Sequence, residues 1–421
     1  MITGVSMSIE DFNPWWRGRK YAEEDPDIVK WREMPVRWVP AEIEEISLEP
    51  FSLNFLYGPR QVGKTTLVKL LVLRLLERVE PEAIFYFSCD LLSDYEELLE
   101  VLREYLRARR PGQPSYVFLD EVTFVREWYR AVKHLIDTGR LRSSVVTITG
   151  SSSLWVERAA ETFPGRRGKG RDVLLRPLSF SAYARVHQPD IEAKPGWYGR
   201  LDELFESYLA TGGFPLPINS RARFGRITPD VYKSYVDWLV YDLKRANRDE
   251  RLAKALLAAL LERAGSRLSY SSLARDLGVS HRTVSEYVDL FSRMHLVLVL
   301  NYVDVFKGVK DFRKMVKVHF TDPFLYDVVA RWTGAGKPEV SAVVEGVVAS
   351  HLSRKFEVGY TVVGRREVDV VALPEMAGYE VKYGRKAAVS PLSAGKMKKV
   401  VVLSKTGAGG AIPIPLFLFA L

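Results

Sequence analysis

The sequence predicts an α/β protein with a parallel-sheet core, followed by a helical region and a smaller α/β domain. Three observations predict this fold. The apolar segment SLNFLY at 52–57 is followed by a glycine-rich turn and then by the amphipathic segment TLVKLLVLRLLERV, which is the order strand, loop, helix. The apolar segments SYVFLD and SSVVTITG supply further buried strands. Beyond residue 356, short strand-like segments again follow one another, separated by turns.

Length and composition indicate a folded protein of several domains. The 421 residues correspond to two or three domains at about 150 residues each. Hydrophobic residues make up 47% and charged residues 27%, which excludes a mainly disordered or collagen-like chain. The single cysteine, Cys89, cannot form an intramolecular disulfide, so a reducing, cytoplasmic setting is expected. No signal peptide is visible and no stretch approaches ~20 apolar residues, so we expect no membrane partner.

The net charge of +9 is unevenly distributed along the chain. Residues 1–250 carry 36 basic and 37 acidic side chains, whereas 251–320 carry 12 and 6, and 334–421 carry 12 and 7. The basic surplus therefore belongs to the C-terminal part, where DNA is the expected partner. A solvated arginine-rich surface is the alternative.

The turn after SLNFLY fits the phosphate-binding pattern G-x-x-x-x-G-K-[ST] without a mismatch. Glycines let backbone N–H groups curl around phosphates at a helix N-terminus, the lysine reaches the β- and γ-phosphates, and the threonine hydroxyl can ligate Mg²⁺. ATP and Mg²⁺ are therefore the predicted ligands. The predicted nucleotide-binding residues are Gly58, Pro59, Arg60, Gln61, Val62, Gly63, Lys64, Thr65 and Thr66.

The strand SYVFLD ends in a pair of carboxylates, Asp120 and Glu121. We expect Asp120 to share the Mg²⁺ shell with Thr65, and Glu121 to polarise the water that attacks the γ-phosphate. Hydrolysis of the nucleotide, rather than binding alone, is therefore predicted.

Two further groups are candidates for the transition state. The strand SSVVTITG leads to Ser151, whose hydroxyl could sense the γ-phosphate or could simply cap the following helix. The loop FPGRRGKGR carries Arg166 and Arg167, either of which could bring a guanidinium to the developing charge. A solvated basic loop is the alternative.

Taken in order, NPWW, YGPRQVGKTT, VFLDEV, ITGSSS, PGRRG, RPLSFSAYA and TGGFP resemble the archaeal branch of AAA-type P-loop ATPases that carry a winged helix and a nuclease-like C-terminal domain. The resemblance covers nearly the whole chain. It implies nucleotide chemistry at Lys64, Thr65, Asp120 and Glu121, a sensor role for Ser151, and an arginine finger at Arg166 or Arg167. The finger hypothesis implies either a homo-oligomer or a large domain closure.

The segment SYSSLARDLGVSHRTVSEYVDLFSRM has the spacing of a helix-turn-helix. The exposed face of its second helix carries mixed charge, which does not favour sequence-specific reading of bases. The strands that follow form a candidate wing for phosphate contact or a structural spacer. The predicted wing cations are Lys307, Lys310, Arg313, Lys314 and Lys317.

The C-terminal segment is predicted to form a helix at 340–355, then the strands FEVGYTVV, REVDVVAL and GYEVKYG, a short helix near PLSAGKMKKV, and the strands VVVLSK and PIPLFLFAL. Glu380 and Lys382 share one face of their strand, because side chains alternate along it. With Asp369 on the preceding strand and Glu345 on the helix, they resemble the E…D…ExK pattern of PD-(D/E)xK nucleases. The resemblance implies a second metal site at Glu345, Asp369 and Glu380, with Lys382 beside the attacking water. A Glu380–Lys382 ion pair is the alternative.

These observations predict four segments and one leading function. Residues 1–50 form a Trp-rich arm packed on the ATPase, 51–215 the P-loop ATPase domain, 216–333 a helical linker with the winged helix, and 334–421 a small α/β restriction-endonuclease-like domain. The leading hypothesis is a Mg²⁺-dependent ATP hydrolase that acts on DNA. The alternatives are a nucleotide-switched adaptor and a transcription regulator, each with an inactive nuclease-like domain.

Overall fold

The computed structural model describes residues 8–109, 114–150, 163–384 and 392–421. The chain divides into two compact units, Met1–Arg176 and Pro177–Leu421. The predicted segment boundaries at residues 215 and 333 both lie inside the second unit. That unit therefore contains the helical region and the C-terminal strands together.

The first unit is built on a five-stranded sheet in the order β2-β3-β4-β1-β5, in which every neighbouring pair is parallel. The four longer strands are almost entirely buried, as expected for parallel strands covered on both faces. The second of them, with the sequence IFYFS, was not predicted. The strands are β1 Ser52–Tyr57, β2 Ile84–Ser88, β3 Ser115–Asp120, β4 Ser144–Gly150 and β5 Asp172–Leu174.

The helices of the first unit begin at clear start signals. The helix that follows the phosphate-binding turn starts directly after Gly63. The helix after β2 is capped by Asp94, whose carboxylate accepts the N–H groups of Glu96 and Glu97. The helices are α1 Pro26–Arg32, α2 Lys64–Leu76, α3 Tyr95–Ala108 and α4 Tyr129–Asp137.

Asn13, Trp15 and Trp16 pack against the edge strand β2. The Asn13 amide donates to the carbonyl of Tyr86 at 2.9 Å and accepts the N–H of Tyr86 at 2.7 Å. Trp15 and Trp16 both donate their indole N–H to the Ile84 carbonyl, at 3.1 and 2.9 Å. These side chains satisfy backbone groups that an edge strand otherwise leaves unpaired.

The second unit is mainly helical in its first half. Its helices are α5 Phe180–His187, α6 Tyr198–Thr211, α7 Pro215–Phe224, α8 Pro229–Arg245, α9 Glu250–Glu262, α10 Tyr270–Asp276, α11 His281–Arg293, α12 Pro323–Thr333, α13 Val340–Leu352 and α14 Ile414–Ala420. Among the helices of the described residues, none combines the length and the apolarity that crossing a bilayer requires.

The TGGFP sequence forms a tight contact between α6 and α12. The buried carboxylate of Asp322 caps α12 through the Phe324 N–H at 2.9 Å and accepts the Gly213 N–H at 2.8 Å. A Cβ on Gly212, whose φ is 62°, would lie 1.8 Å from an Asp322 oxygen. Only glycine fits there, which explains this part of the motif.

The second unit also contains one sheet along the path β14-β13-β12-β11-β10-β7-β9-β6, with β8 paired to β7. The hairpin that follows the helix-turn-helix joins the C-terminal strands through parallel pairing of β7 with β10, where Gly359 faces Asn301 and Tyr360 faces Tyr302. The strands are β6 Arg267–Leu268, β7 Val297–Asp304, β8 Val309–Asp311, β9 Val316–Phe320, β10 Glu357–Val363, β11 Arg366–Leu373, β12 Ala377–Lys382, β13 Val400–Ser404 and β14 Ile412–Pro413.

Two C-terminal predictions are wrong. The segment PIPLFLFAL is not one strand: it ends in helix α14, whose first turn accepts Pro415 because the N–H groups there need no intrahelical partner. Ile414 and Leu418 are buried four residues apart, the spacing of one helix face. The predicted short helix near PLSAGKMKKV is absent from its described part, 392–399, where Ala394 and Met397 instead form a β-bridge in a turn.

Candidate functional site

The phosphate-binding turn follows β1 and leads into α2, as its sequence predicts. Gly58 has a φ of 153°, and a Cβ there would lie 2.1 Å from the Leu175 carbonyl oxygen. Gly63, at the N-cap of α2, has a left-handed φ of 101°. The two glycines therefore allow the backbone to turn sharply between strand and helix.

Lys64 occupies the inside of this loop. Its side chain is 5% exposed, and its ammonium donates to the carbonyls of Gly58 and Pro59 at 3.0 Å each. The positive charge of Lys64 is thus held within the loop by the carbonyl groups of two residues of the phosphate-binding motif. Of the other predicted loop residues, Arg60 places its guanidinium 5.8 Å from the centre of the Phe124 ring, and Val62 is buried.

Asp120, at the end of β3, collects three hydroxyl groups. The Thr65 hydroxyl donates to Asp120 Oδ2 at 2.6 Å, and the Tyr86 hydroxyl donates to the same oxygen at 2.9 Å. The Thr149 hydroxyl donates to Oδ1. Burial, followed by the Asp120 carboxylate, raises the pKa of Tyr86 well above its usual value, so this hydroxyl stays a donor. The predicted pair Thr65 and Asp120 is therefore in direct contact, with Asp120 only 2% exposed.

Glu121 lies beside this cluster in a left-handed backbone conformation, with a φ of 52°. Its N–H donates to the Thr149 hydroxyl at 2.9 Å, which fixes the start of the turn after β3. Its Oε2 atom is buried and has no hydrogen-bond partner among the described residues. A buried carboxylate oxygen without a donor is rare in folded proteins, and it marks this group as a functional candidate.

The two finger candidates are ion-paired within the first unit. Arg166 contacts Asp137, with an Nε–Oδ1 distance of 2.7 Å. Arg167 makes a two-point contact with Asp172, at 2.6 and 2.8 Å, and lies 4.9 Å from the centre of the Phe55 ring. The predicted sensor, Ser151, lies outside the described residues.

Sequence reasoning missed two residues of this site, Tyr86 and Thr149. Both belong to apolar strands that neighbour β3. Thr149 is the last residue but one of β4, and because ligands of parallel α/β sheets bind at the carboxyl ends of the strands, that position was an available signal. Tyr86 lies in the middle of β2, where no such signal exists.

In the second unit, Glu345 and Asp369 converge on a lysine from β9. The Lys317 ammonium lies 2.7 Å from Glu345 Oε1, 2.6 Å from Glu367 Oε1 and 3.4 Å from Asp369 Oδ1. The Lys317 side chain is 0% exposed, so its prediction as a phosphate contact of the wing is wrong. Burial and the Glu345 carboxylate raise the pKa of Asp369 to about 6.

The ExK residues lie on β12 with their own partners. Glu380 is buried and accepts a hydrogen bond from the Arg366 guanidinium. Its second oxygen lies 3.8 Å from the Lys382 ammonium, which matches the ion pair considered from the sequence. Across the ranges that the structure covers, no group of three or more His, Cys, Asp or Glu side chains is arranged to hold a metal ion.

Comparison with known proteins relates one part of the chain to a known family. Residues 51–184 match the family model of the AAA domain, and this range contains β1 to β5 and the phosphate-binding turn. This part of the chain is therefore similar to AAA domains. Residues 202–335 match a second model, described as Domain of unknown function (DUF8612).

Individual relatives are distant. An uncharacterized protein of Methanocaldococcus jannaschii is 24% identical in a 298-residue alignment that covers 64% of this chain and 60% of that relative. The chain thus spans less than two thirds of the length of this curated relative. The Holliday junction branch migration motor RuvB of Thermotoga maritima is 15% identical with a TM-score of 0.32, covering 76% of this chain and 96% of that one. The ORC2 protein of Aeropyrum pernix, in ADPNP–ADP complexes, is 13% identical with a TM-score of 0.40, covering 67% and 88%.

Proposed function

We propose that the protein is a Mg²⁺-dependent ATP hydrolase that acts on DNA. The observation that carries the ATPase part is the contact of the Thr65 hydroxyl with Asp120 beside the unpartnered Glu121 oxygen. This contact supports metal ligation by Thr65 and Asp120 and a base at Glu121, which a P-loop ATPase requires, and Lys64 lies in the adjoining loop.

Each residue has a distinct role in the proposed reaction. The loop N–H groups and the Lys64 ammonium bind the β- and γ-phosphates and balance their charge. Glu121 accepts a hydrogen bond from water and directs its lone pair towards the γ-phosphorus. Thr149 orients Glu121 through the backbone N–H, and Tyr86 holds the Asp120 carboxylate in place.

The residues present fit a magnesium ion. A threonine hydroxyl and a carboxylate are hard oxygen donors of the kind that Mg²⁺ takes in nucleotide sites, where the remaining positions belong to phosphate and water. When bound, Mg²⁺ would neutralise charge on the β- and γ-phosphates.

The ATPase proposal is tested by phosphate release from ATP in the presence of Mg²⁺ or of an excess of EDTA. We expect turnover with Mg²⁺ and its complete loss with EDTA, because charge on the phosphates is then unbalanced. Restoring Mg²⁺ is expected to restore turnover, which separates metal removal from unfolding. Turnover that persists in EDTA would contradict the proposal.

The DNA part of the proposal is supported by the geometry of residues 250–320. Helices α9, α10 and α11 precede the antiparallel strands β7 and β9, and β6 pairs with β9, an arrangement typical of a winged helix. On α11, Arg282 is paired with Glu286 at 2.8 Å, and Arg248 binds the same carboxylate at 3.0 Å. An arginine that is paired with a carboxylate is less able to make the two-point contact with a base edge that specific recognition needs. This helix therefore favours DNA contact without sequence preference.

The hairpin β7–β8 and the turn after it supply the better DNA-contacting surface. Lys307 and Lys314 are exposed there, next to the aromatic rings of Phe306 and Phe312, which are 71% and 74% exposed. Lysines bind phosphates and exposed rings stack on unpaired bases, so single-stranded or distorted DNA is the preferred substrate class. Lys310 contributes less, because Glu357 binds it at 2.9 Å.

We expect a Lys307→Ala, Lys314→Ala double variant to bind DNA more weakly at every sequence. On single-stranded DNA each lost phosphate contact lowers the magnitude of the negative slope of log affinity against log salt by about 0.7, so the double variant should lose about 1.4. Lys233→Ala on α8, which also removes an exposed lysine, is the matched control. Fluorescence anisotropy with labelled DNA over a salt series measures the slopes.

Two results would favour the rival functions. Absence of DNA binding by the wild-type protein at low salt would favour the nucleotide-switched adaptor. Strong preference for one sequence over random DNA in competition binding would favour the transcription regulator. A homo-oligomer stays a prediction, since Arg166 and Arg167 have acidic partners inside the first unit.

A further inference from the structure

The carboxylate cluster of the second unit already contains a cation. Lys317 reaches it from β9, Glu345 from α13, and Glu367 and Asp369 from β11. All three carboxylates lie within 3.4 Å of the Lys317 ammonium, whose side chain is fully buried. His319, on the same strand, places its Nε2 atom 3.3 Å from Glu345 Oε1.

Three carboxylates surround the Lys317 ammonium, and these contacts balance its buried charge. An ammonium with three hydrogens can be shared by three carboxylates, and such a buried charge is held only where partners surround it. The ammonium therefore has a full set of oxygen partners.

This ammonium lies where the nuclease pattern requires a metal. In the E…D…ExK assignment, Glu345 and Asp369 are ligands of one ion, and both of them instead contact Lys317. The third assigned ligand, Glu380, is bound by Arg366 and faces Lys382. A divalent ion bound to Glu345 and Asp369 would take the place of the Lys317 ammonium. The lysine would still lie next to the ion, and the two positive charges would repel each other, so these residues do not fit a metal site.

We propose that Lys317 is the resident cation of this centre, that it excludes divalent metal, and that the C-terminal domain consequently does not cleave DNA by metal-dependent hydrolysis. The inference concerns the E…D…ExK pattern and goes beyond the proposed function. Lys317 instead links the wing strand β9 to α13 and β11.

The metal-binding test compares full-length proteins that all carry Asp120→Asn, which removes the carboxylate of the ATPase metal site. Bound Mn²⁺ is counted by electron paramagnetic resonance without nucleotide. The protein with Asp120→Asn alone, the parent, is expected to bind no Mn²⁺ at the cluster. Adding Asp369→Asn to the parent should therefore leave the amount of bound Mn²⁺ unchanged. Adding Lys317→Met removes the ammonium at similar volume and should create one Mn²⁺ site, with a rise in Tm on Mn²⁺ addition. A further Asp369→Asn should remove that site.

Two outcomes overturn the inference. One is Mn²⁺ bound by the parent and lost on Asp369→Asn; the other is a folded Lys317→Met variant that binds no additional Mn²⁺. If Lys317→Met does not fold, the inference is tested by Mn²⁺ binding to the parent with and without Asp369→Asn, and by a DNA cleavage assay. Unsubstituted protein with Mg²⁺ or Mn²⁺ should leave linear and circular DNA intact, and cleavage that disappears in Lys382→Ala would overturn the inference. ATP turnover and DNA affinity are scored separately, so failure of the proposed function leaves this result interpretable.

Discussion

Lys64→Ala is expected to abolish ATP turnover and to weaken ATP binding. A hydrogen bond to a charged group contributes about 1.5–3 kcal/mol, so affinity should fall by about 10- to 100-fold. Turnover should fall further, by about 100- to 1,000-fold at saturating ATP, because charge grows on the phosphoryl oxygens in the transition state. Phosphate release and titration with a fluorescent ATP analogue measure the two effects.

The same helix provides a control for Lys64. Arg74 lies on α2, is 45% exposed, and pairs with Glu44 rather than with the phosphate-binding loop. Arg74→Ala therefore removes one positive charge from α2 and should leave both ATP affinity and turnover near the wild-type values. Wild-type turnover in Lys64→Ala would remove the ATPase assignment, whereas equal losses in both variants would point to damage of the helix.

The ATPase core was predictable because its signals are local. Gly58, Gly63 and Lys64 are fixed by backbone geometry and by the reach of one side chain, so their spacing in sequence carries the function. The strands were predictable where apolar runs end in polar residues, as at Asp120. The contact of Asp120 with Tyr86 joins residues 34 positions apart on neighbouring strands, and no local pattern specifies that pairing.

The role of Lys317 was not predictable for a related reason. Alternation along VKVHF places Lys317 and His319 on one face, but it does not state which face is covered. The covering groups, Glu345 and Asp369, lie 28 and 52 residues further along the chain. From the sequence, a lysine near a basic hairpin is therefore expected to be exposed. Only the packing of the folded chain shows that three carboxylates surround it.

Glu121→Gln is expected to leave ATP binding intact and to reduce turnover. In the described part of the chain the Glu121 Oε2 atom has no hydrogen-bond partner, and glutamine preserves the shape of the side chain. The amide cannot accept a proton, and general base catalysis contributes about 100- to 10,000-fold, so turnover should fall by at least about 100-fold. ATP affinity should stay within about 3-fold of wild type, since an effect confined to the transition state leaves binding unchanged.

Glu127→Gln is the matched control for this substitution. Glu127 follows in the same turn region, also has a positive φ, of 55°, and pairs with Arg130 at the surface. Loss of this surface ion pair in Glu127→Gln should leave ATP turnover close to the wild-type value. Glu121→Gln with wild-type turnover would remove the base assignment, and parallel loss of affinity would mean that Glu121 positions the nucleotide instead. The hydrogen bond from the Glu121 N–H to Thr149 fixes the backbone at this position. A selective loss of turnover would therefore indicate that the buried Oε2 atom contacts the attacking water.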